Sequence, residues 1–181
     1  MTVFLGLLTA ISYGFADFFA AIAAKKFKVV FVTALASSSG LFGLIVATPF
    51  LGAKFSQEAL LWGLGAGLAS VSALIALYAS LAIGPISIVS PLGAVISAIV
   101  PAIIGIIWLG EGLSALGWLA ILLALVAIVL VAFVPGENIQ IPSRRGILLS
   151  VTAGISIGIA ITCLSRSPAD SGIASILIMR T

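Results

Sequence analysis

Long apolar stretches, separated by short polar breaks, make up most of the chain. Six of them are close to the roughly 20 residues that an α-helix needs to cross the hydrocarbon core of a bilayer. A stretch such as "LAILLALVAIVLVAFV" does not alternate apolar and polar positions, as a strand of a membrane barrel would. The pattern therefore predicts six spanning helices, over Val3–Ala24, Val29–Gly52, Ala59–Ile83, Ile86–Leu109, Ala115–Val134 and Gly146–Leu164.

A seventh apolar stretch opens at Ser171 and runs to Thr181, which is about half of a span. The longest polar stretch lies before the sixth span, at Pro135–Arg145, and is the natural linker. We therefore expect an all-α fold, a polytopic bundle of transmembrane helices. Its parts are a five-helix repeat over residues 1–134, a polar linker over 135–145, and an incomplete second repeat over 146–181.

The idea of a second repeat comes from a similarity between the two ends of the chain. "GLLTAISYGFADFFA" begins at Gly6, and "GILLSVTAGISIGIA" begins at Gly146. Membrane transporters are often built from such internal duplications. The coinciding pairs are Gly6 with Gly146, Leu8 with Leu148, Gly14 with Gly154 and Ala20 with Ala160.

Composition agrees with a membrane protein and argues against other classes. The chain is 62% hydrophobic and only 7% charged, whereas soluble domains average about 45–50% and 25%. Eight Lys and Arg residues are too dispersed to form a nucleic-acid surface. There is no His, Cys163 is the single cysteine, and no catalytic or metal-ligand motif is present. We expect no enzymatic activity, no metal and no cofactor, with the lipid bilayer as the main partner.

Asp17 is the unusual residue of the first span. It shares a helical face with Tyr13 and several small residues, opposite a bulky apolar stripe, so we expect it to point into the bundle. An ionised Asp at a helix centre costs about 2.5–3.5 kcal/mol to insert. Two interpretations remain open: a proton-coupling or cation-binding site, or a protonated acid that is hydrogen-bonded to a neighbouring helix. No basic or second acidic residue lies within the other five spans.

The fourth span is unusual because it contains Pro91 and Pro101, which we expect to kink the helix. Ser90 and Ser97 share a small, hydroxylated face with Pro101. This face suits a solute pathway, and it equally suits helix packing through small residues. Further candidate contacts with a solute are Ser37 in the second span and Ser70 in the third, whereas Gly63-x-x-x-Gly67 is interpreted as packing.

The segment "ALYASLAIGPISIVSPLGAVISAIVPAIIGIIWLGEGLSALGWLAILLALVAIVLVAF" resembles the end of the first repeat in EamA-like transporters of the drug/metabolite transporter superfamily. "YGFADFF", followed by two lysines, is similar to the first helix of one branch of that family. The matching positions are Tyr78, Ala79, Leu81, Gly84–Pro85, Ser90–Pro91, Pro101, Gly110–Glu111 and Gly117.

The resemblance implies ten helices in two inverted five-helix repeats around a central cavity. It implies transport of small metabolites, amino acids or drugs by alternating access. Small multidrug relatives use a first-helix carboxylate for proton-coupled export, and Asp17 sits in a similar place. Tyr78 joins Tyr13, Ser37, Ser70, Ser90 and Ser97 as a candidate cavity residue, and Glu111 matches a recurrent family glutamate.

Other readings of the sequence stay open. The chain could be a truncated protein that transports nothing, a half-transporter that needs a second copy or a C-terminal half, or a channel-like or lipid-handling bundle. We expect a multi-pass protein of the cell membrane. Its orientation is open, because the positive-inside rule places the loops with Lys25, Lys26, Lys28, Arg144 and Arg145 in the cytoplasm, whereas the resemblance implies a cytoplasmic N-terminus.

Overall fold

The computed structural model describes residues 2–110, 112, 114–132 and 142–181, and within these ranges the fold is all-helical. A 3₁₀ turn, Ala169–Ser171, precedes the last helix. The described helices are α1 (Thr2–Lys26), α2 (Val29–Leu51), α3 (Gln57–Ile83), α4 (Ile86–Leu109), α5 (Ala115–Ala132), α6 (Arg144–Ser165) and α7 (Ala174–Arg180).

The six expected apolar helices are present, with ends that differ from the prediction by at most two residues. Phe133 and Val134, and the linker residues 135–141, lie outside the described residues, as does Glu111. Five of the described helices, α1 to α4 and α6, are long and apolar enough to cross a membrane. The structure is therefore consistent with a multi-pass membrane protein.

Local sequence signals account for the helix ends. Ser56 caps α3 by accepting a hydrogen bond from the Ala59 N–H at 3.0 Å, and Ser143 caps α6 through the Gly146 N–H at 3.1 Å. Side-chain oxygens at this position satisfy N–H groups that have no partner within the helix. Gly110 ends α4 in the left-handed region, with φ of 64°, which a residue with a Cβ adopts at a cost.

Helix α6 packs along both α3 and α4, and α3 also contacts α1, α2 and α7. The glycines of α6 allow close approach: a methyl group on Gly154 would lie 2.6 Å from the Gly93 carbonyl oxygen. A methyl group on Gly158 would lie 2.6 Å from the Cβ of Val100. The fully buried Ser150 hydroxyl donates to the carbonyl of Val89 and ties α6 to α4.

Small residues also bring α7 against α3. Gly63 faces Ile178, and Gly67 faces the backbone of Met179. A methyl group added to Gly67 would lie 3.2 Å from the Met179 carbonyl oxygen. The interpretation of Gly63-x-x-x-Gly67 as a packing motif is confirmed. The buried Ser175 hydroxyl adds a hydrogen bond to the Ala59 carbonyl at 3.2 Å.

Helix directions place the charged loops at two ends of the bundle. The start of α6 meets the end of α3, where Gly146 faces Ile83; the end of α6 meets the first half of α3, where Cys163 faces Gly65. Because consecutive helices α1 to α3 reverse direction, α1 and α6 run in opposite directions. We call one end the basic end (Lys25, Lys26, Lys28, Arg144 and Arg145) and the other the tryptophan end (Trp62, Trp108, Trp118, Lys54 and Arg166).

Bulky apolar side chains cover the outside of the bundle. The expected stripe on α1 is exposed, which suits contact with lipid tails. The opposite face of α1 is buried only in its second half, at Ala21 and Ala24, whereas Tyr13 is 69% exposed. The members of the stripe are Phe4, Leu8, Ile11, Phe15, Phe18 and Ile22.

Candidate functional site

The carboxylate of Asp17 lies against α4 and not among the exposed side chains of α1. Its Oδ2 atom accepts a hydrogen bond from the Ser90 hydroxyl, and both residues are half-buried. The position follows from the helix geometry: Asp17 precedes Ala21 and Ala24 on the face of α1 that packs inward. A hydroxyl group therefore meets the carboxylate where α1 and α4 approach each other.

Tyr78 on α3 packs against the inward face of α1. It is 8% exposed and packs in an apolar cluster with Ala21, Ala24 and Val32. Of the predicted cavity residues, Ser90 thus contacts Asp17, and Tyr78 packs against the same helix about one turn farther along, at Ala21.

Arg180, in the last turn of α7, is a site residue that the sequence analysis missed. Its half-buried guanidinium lies over Gly40 of α2, where an added Cβ would be 3.6 Å from the Arg180 Cζ. Within the described ranges, the one ion pair closer than or equal to 4.0 Å joins Lys54 to Asp170 in exposed loops. Arg180 and Asp17 therefore do not form a direct ion pair.

One face of α2 turns hydroxyl groups toward the interior. Thr33, Ser37 and Gly40 recur at helical spacing, and Gly40 is the position that meets Arg180. The Thr33 hydroxyl is buried and lacks a hydrogen-bond partner among the described residues. By contrast, Thr48 on the same helix donates to the Leu44 carbonyl at 2.9 Å.

The other face of α4 serves packing. Pro101 lies in contact with the position of Gly158 on α6, and α4 is helical from Ile86 to Leu109 through both prolines. The Ser97 hydroxyl donates to the Ala94 carbonyl of its own helix at 2.7 Å. The two interpretations of α4 therefore apply to different residues: Ser90 faces Asp17, and Gly93 and Pro101 pack on α6.

Three predicted cavity residues are placed less closely. Tyr13 stands on the exposed first half of α1, one turn from Asp17 but away from the other helices. Ser37 and Ser70 are half-buried. Ser70 lies about 12 Å along α3 from Tyr78, at a rise of 1.5 Å per residue.

An open depression at the tryptophan end is separate from this region. Its lining on α3 ends at Gly65, which is about 20 Å along that helix from Tyr78. The described residues contain no group of three or more His, Cys, Asp or Glu side chains that could hold a metal ion. The lining residues are Glu58, Leu61, Trp62, Gly65, Cys163 and Arg166.

Comparison with known proteins adds no relative to these observations. No family model, curated protein or solved structure matches the chain. The resemblance to EamA-like transporters therefore stays a prediction carried by the sequence motifs, and the chemistry of the region around Asp17 is the main guide to function.

Proposed function

We propose that this chain is a multi-pass membrane transporter, or the N-terminal part of one, that moves small organic solutes by alternating access. Asp17 is its proton- or cation-coupling residue. The observation that carries the proposal is the contact between the Asp17 carboxylate and the Ser90 hydroxyl inside an apolar bundle. The proposal agrees with the resemblance to EamA-like transporters.

The depth of Asp17 supports a coupling role. It lies nine residues before the end of α1 at Lys26, or about 14 Å along the helix. A short carboxylate cannot reach the interface from that depth, and intramembrane acids commonly mark ion or proton pathways. Among the described residues Asp17 has a hydroxyl partner and no cationic group within 4.0 Å, which leaves its carboxylate open to a proton or a cation as the coupling species.

The helix directions support an inverted arrangement. α1 and α6 would be the first helices of the two repeats, and they run in opposite directions through the bundle. A repeat of five spanning helices, an odd number, would produce this reversal, which inverted-topology transporters require. The small-residue contacts of α6 with α4 are compatible with a second unit that packs directly against the first.

Uptake into proteoliposomes tests the proposal. A thermal-shift screen of metabolites, amino acids and cationic drugs selects a solute, and its uptake is measured with and without an imposed pH gradient. We expect the gradient to stimulate uptake by the natural sequence and to have no effect on the Asp17→Asn variant. Asp170→Asn is the matched control, since its carboxylate lies in an exposed loop.

Two outcomes would contradict the proposal in different ways. Equal stimulation of Asp17→Asn and the natural sequence would remove Asp17 from the coupling step. Binding of solutes without any uptake would contradict transport by the chain alone and support the half-transporter that needs a partner. In both cases circular dichroism and gel filtration in detergent establish that the variant is folded.

A further inference from the structure

We infer that the open depression at the tryptophan end binds one membrane phospholipid whose headgroup carries a primary ammonium beside its phosphate, as in phosphatidylethanolamine. Glu58 contacts the ammonium, Arg166 contacts the phosphate, and an acyl chain lies over Gly65 and Cys163. The site is separate from the region around Asp17, and it operates whether or not the chain transports a solute.

The depression lies between two antiparallel helices that pack closely. Its wall on α3 follows one helical face from Glu58 to Gly65, and its wall on α6 runs from Cys163 to Arg166. Gly65 and Cys163 meet at its floor, because a Cβ added at Gly65 would lie 3.5 Å from the Cys163 Sγ atom. The two charged side chains thus stand at one end of the depression, and small or apolar groups form the other end.

The polarity of the depression changes along the membrane normal. Helix α3 has 27 residues, or about 40 Å at its rise per residue, which exceeds the roughly 30 Å of the hydrocarbon core. Glu58, in the first turn of α3, therefore lies at the level of the headgroups, as does Arg166 at the end of α6. Gly65 lies about 10 Å farther along α3, at the level of the acyl chains. A phospholipid has the same order of charged and apolar parts.

Trp62 stands between the two ends of the depression and is 39% exposed. Indole rings favour the boundary between headgroups and acyl chains. The position of Trp62, about one helical turn beyond Glu58, agrees with a headgroup on one side of the ring and an acyl chain on the other. The ring therefore lies beside the inferred lipid along its length.

The two charges select the headgroup. The Arg166 guanidinium presents a planar set of donors that matches phosphate oxygens, and the Glu58 carboxylate accepts hydrogen bonds from an ammonium group. Both side chains are exposed and free to meet a ligand, since the ion pair within 4.0 Å in the described part of the chain joins Lys54 to Asp170. A choline headgroup has no N–H to donate to Glu58, and a phosphoglycerol headgroup has no cation for it.

Fluorescence of Trp62 measures which lipid occupies the depression. With Trp108→Phe and Trp118→Phe in place, the full chain is reconstituted in phosphatidylcholine vesicles that contain an equal fraction of one lipid with a brominated acyl chain. The brominated lipid is phosphatidylethanolamine, phosphatidylcholine or phosphatidylglycerol, and bromine quenches an indole that it contacts. We expect phosphatidylethanolamine to be preferred at least about threefold, which is within the range of partly exposed ionic contacts. Equal quenching by the three lipids would leave both charges a role at the helix ends only and overturn the inference.

Variants of the two charged residues give the second arm. Glu58→Gln and Arg166→Gln should each abolish the preference for phosphatidylethanolamine. The matched controls Asp170→Asn and Lys54→Gln remove the same charges from the exposed pair at the same end of the bundle, and they should keep the preference. Circular dichroism establishes that each variant is folded. A preference that persists in folded Glu58→Gln or Arg166→Gln, or that is lost equally in the controls, would contradict the assigned contacts.

A second reporter establishes whether the preference is local. With Trp118 as the sole tryptophan, we expect equal quenching by the three lipids, because Trp118 on α5 does not line the depression. The same preference at Trp118 as at Trp62 would indicate enrichment around the whole chain and overturn the site. Glycerophosphoethanolamine, the headgroup without acyl chains, should not reverse the quenching at Trp62. Reversal by this soluble compound would contradict the part assigned to the acyl chain.

Discussion

The Ser90 hydroxyl donates a hydrogen bond to the Asp17 carboxylate, which joins α1 to α4 across 73 positions of sequence. Residues 6–16 of α1 are exposed, and this contact lies at the start of the half of α1 that packs against other helices. A hydroxyl can donate to a carboxylate and accept from a carboxylic acid, so Ser90 is a suitable partner for either form of an acidic side chain.

Removal of the hydroxyl in Ser90→Ala should lower stability and disturb coupling. Interhelical hydrogen bonds in membrane proteins average about 0.6 kcal/mol, with a maximum of about 1.7, and we expect a loss in this range by unfolding in mixed detergent. Ser72→Ala is the control, since Ser72 donates to the Leu68 carbonyl of its own helix. Equal stability of the two variants would contradict a structural contribution from the contact with Asp17.

Substitution of the α6 glycines should separate α6 from α4. In Gly154→Ala and Gly158→Ala the added methyl would lie 2.6 Å from Gly93 or Val100, so the helices must move apart. Overpacking of this kind costs typically 1–3 kcal/mol, and thermal denaturation in detergent should show it. Gly43→Ala, whose Cβ would meet nothing within 4 Å, should leave the melting temperature unchanged or raise it. If the melting temperature of Gly43→Ala fell as far as that of the α6 variants, close packing would not be the cause of the loss.

Gly172→Ala should loosen α7 from its position beside α3. Gly172 has φ of 57°, and an added methyl would clash with the Gly52 carbonyl oxygen. Both the strained backbone and the clash act on the loop contact that precedes α7, in which the Ile173 N–H donates to that same carbonyl at 3.1 Å. We expect proteolysis after Arg180 or near Arg166 to be faster in Gly172→Ala than in Gly112→Ala. Gly112 is the control because a Cβ added there would meet nothing within 4 Å. Identical proteolysis rates would contradict the loop contact.

The charges of the loops predict the orientation in the membrane. Five Lys and Arg residues lie at the basic end, whereas only Lys54 and Arg166 lie at the described tryptophan end. The positive-inside rule therefore places the basic end in the cytoplasm. In a Cys163→Ser background, an impermeant maleimide applied to intact cells should label Ala169→Cys and not Lys26→Cys. The reverse pattern would support the cytoplasmic N-terminus that the family resemblance implies.

Span positions were readable from the sequence because length and apolarity define a membrane helix by themselves. Partners of the helices were not readable in this way. Helical spacing places Tyr13 and Asp17 on one face of α1, but only the second half of that face meets other helices. The pairing of Asp17 with Ser90 depends on the point along their lengths at which α1 and α4 approach each other. The periodicity of neither helix determines that point.

Arg180 shows what the sequence analysis passed over. The signal was present, since an arginine follows the apolar run "ILIM", and charged residues at membrane depth are rare and commonly functional. Span length does not identify this arginine, because its apolar run is shorter than a span. The packing of α6 against α3 and α4 is also not readable from the sequence, since its glycines look like those of any low-complexity apolar helix.

Disulfide cross-linking between α1 and α4 tests most directly whether the acidic group of α1 is turned into the bundle. In a Cys163→Ser background, Asp17→Cys is combined with Ser90→Cys, and native membranes are treated with a mild oxidant. We predict a rapid intramolecular disulfide, because the two side chains touch in the structure, and none when Tyr13→Cys replaces Asp17→Cys. Absence of the Asp17–Ser90 cross-link, with formation of the Tyr13–Ser90 one, would contradict an inward-facing Asp17 and the proposed function built on it.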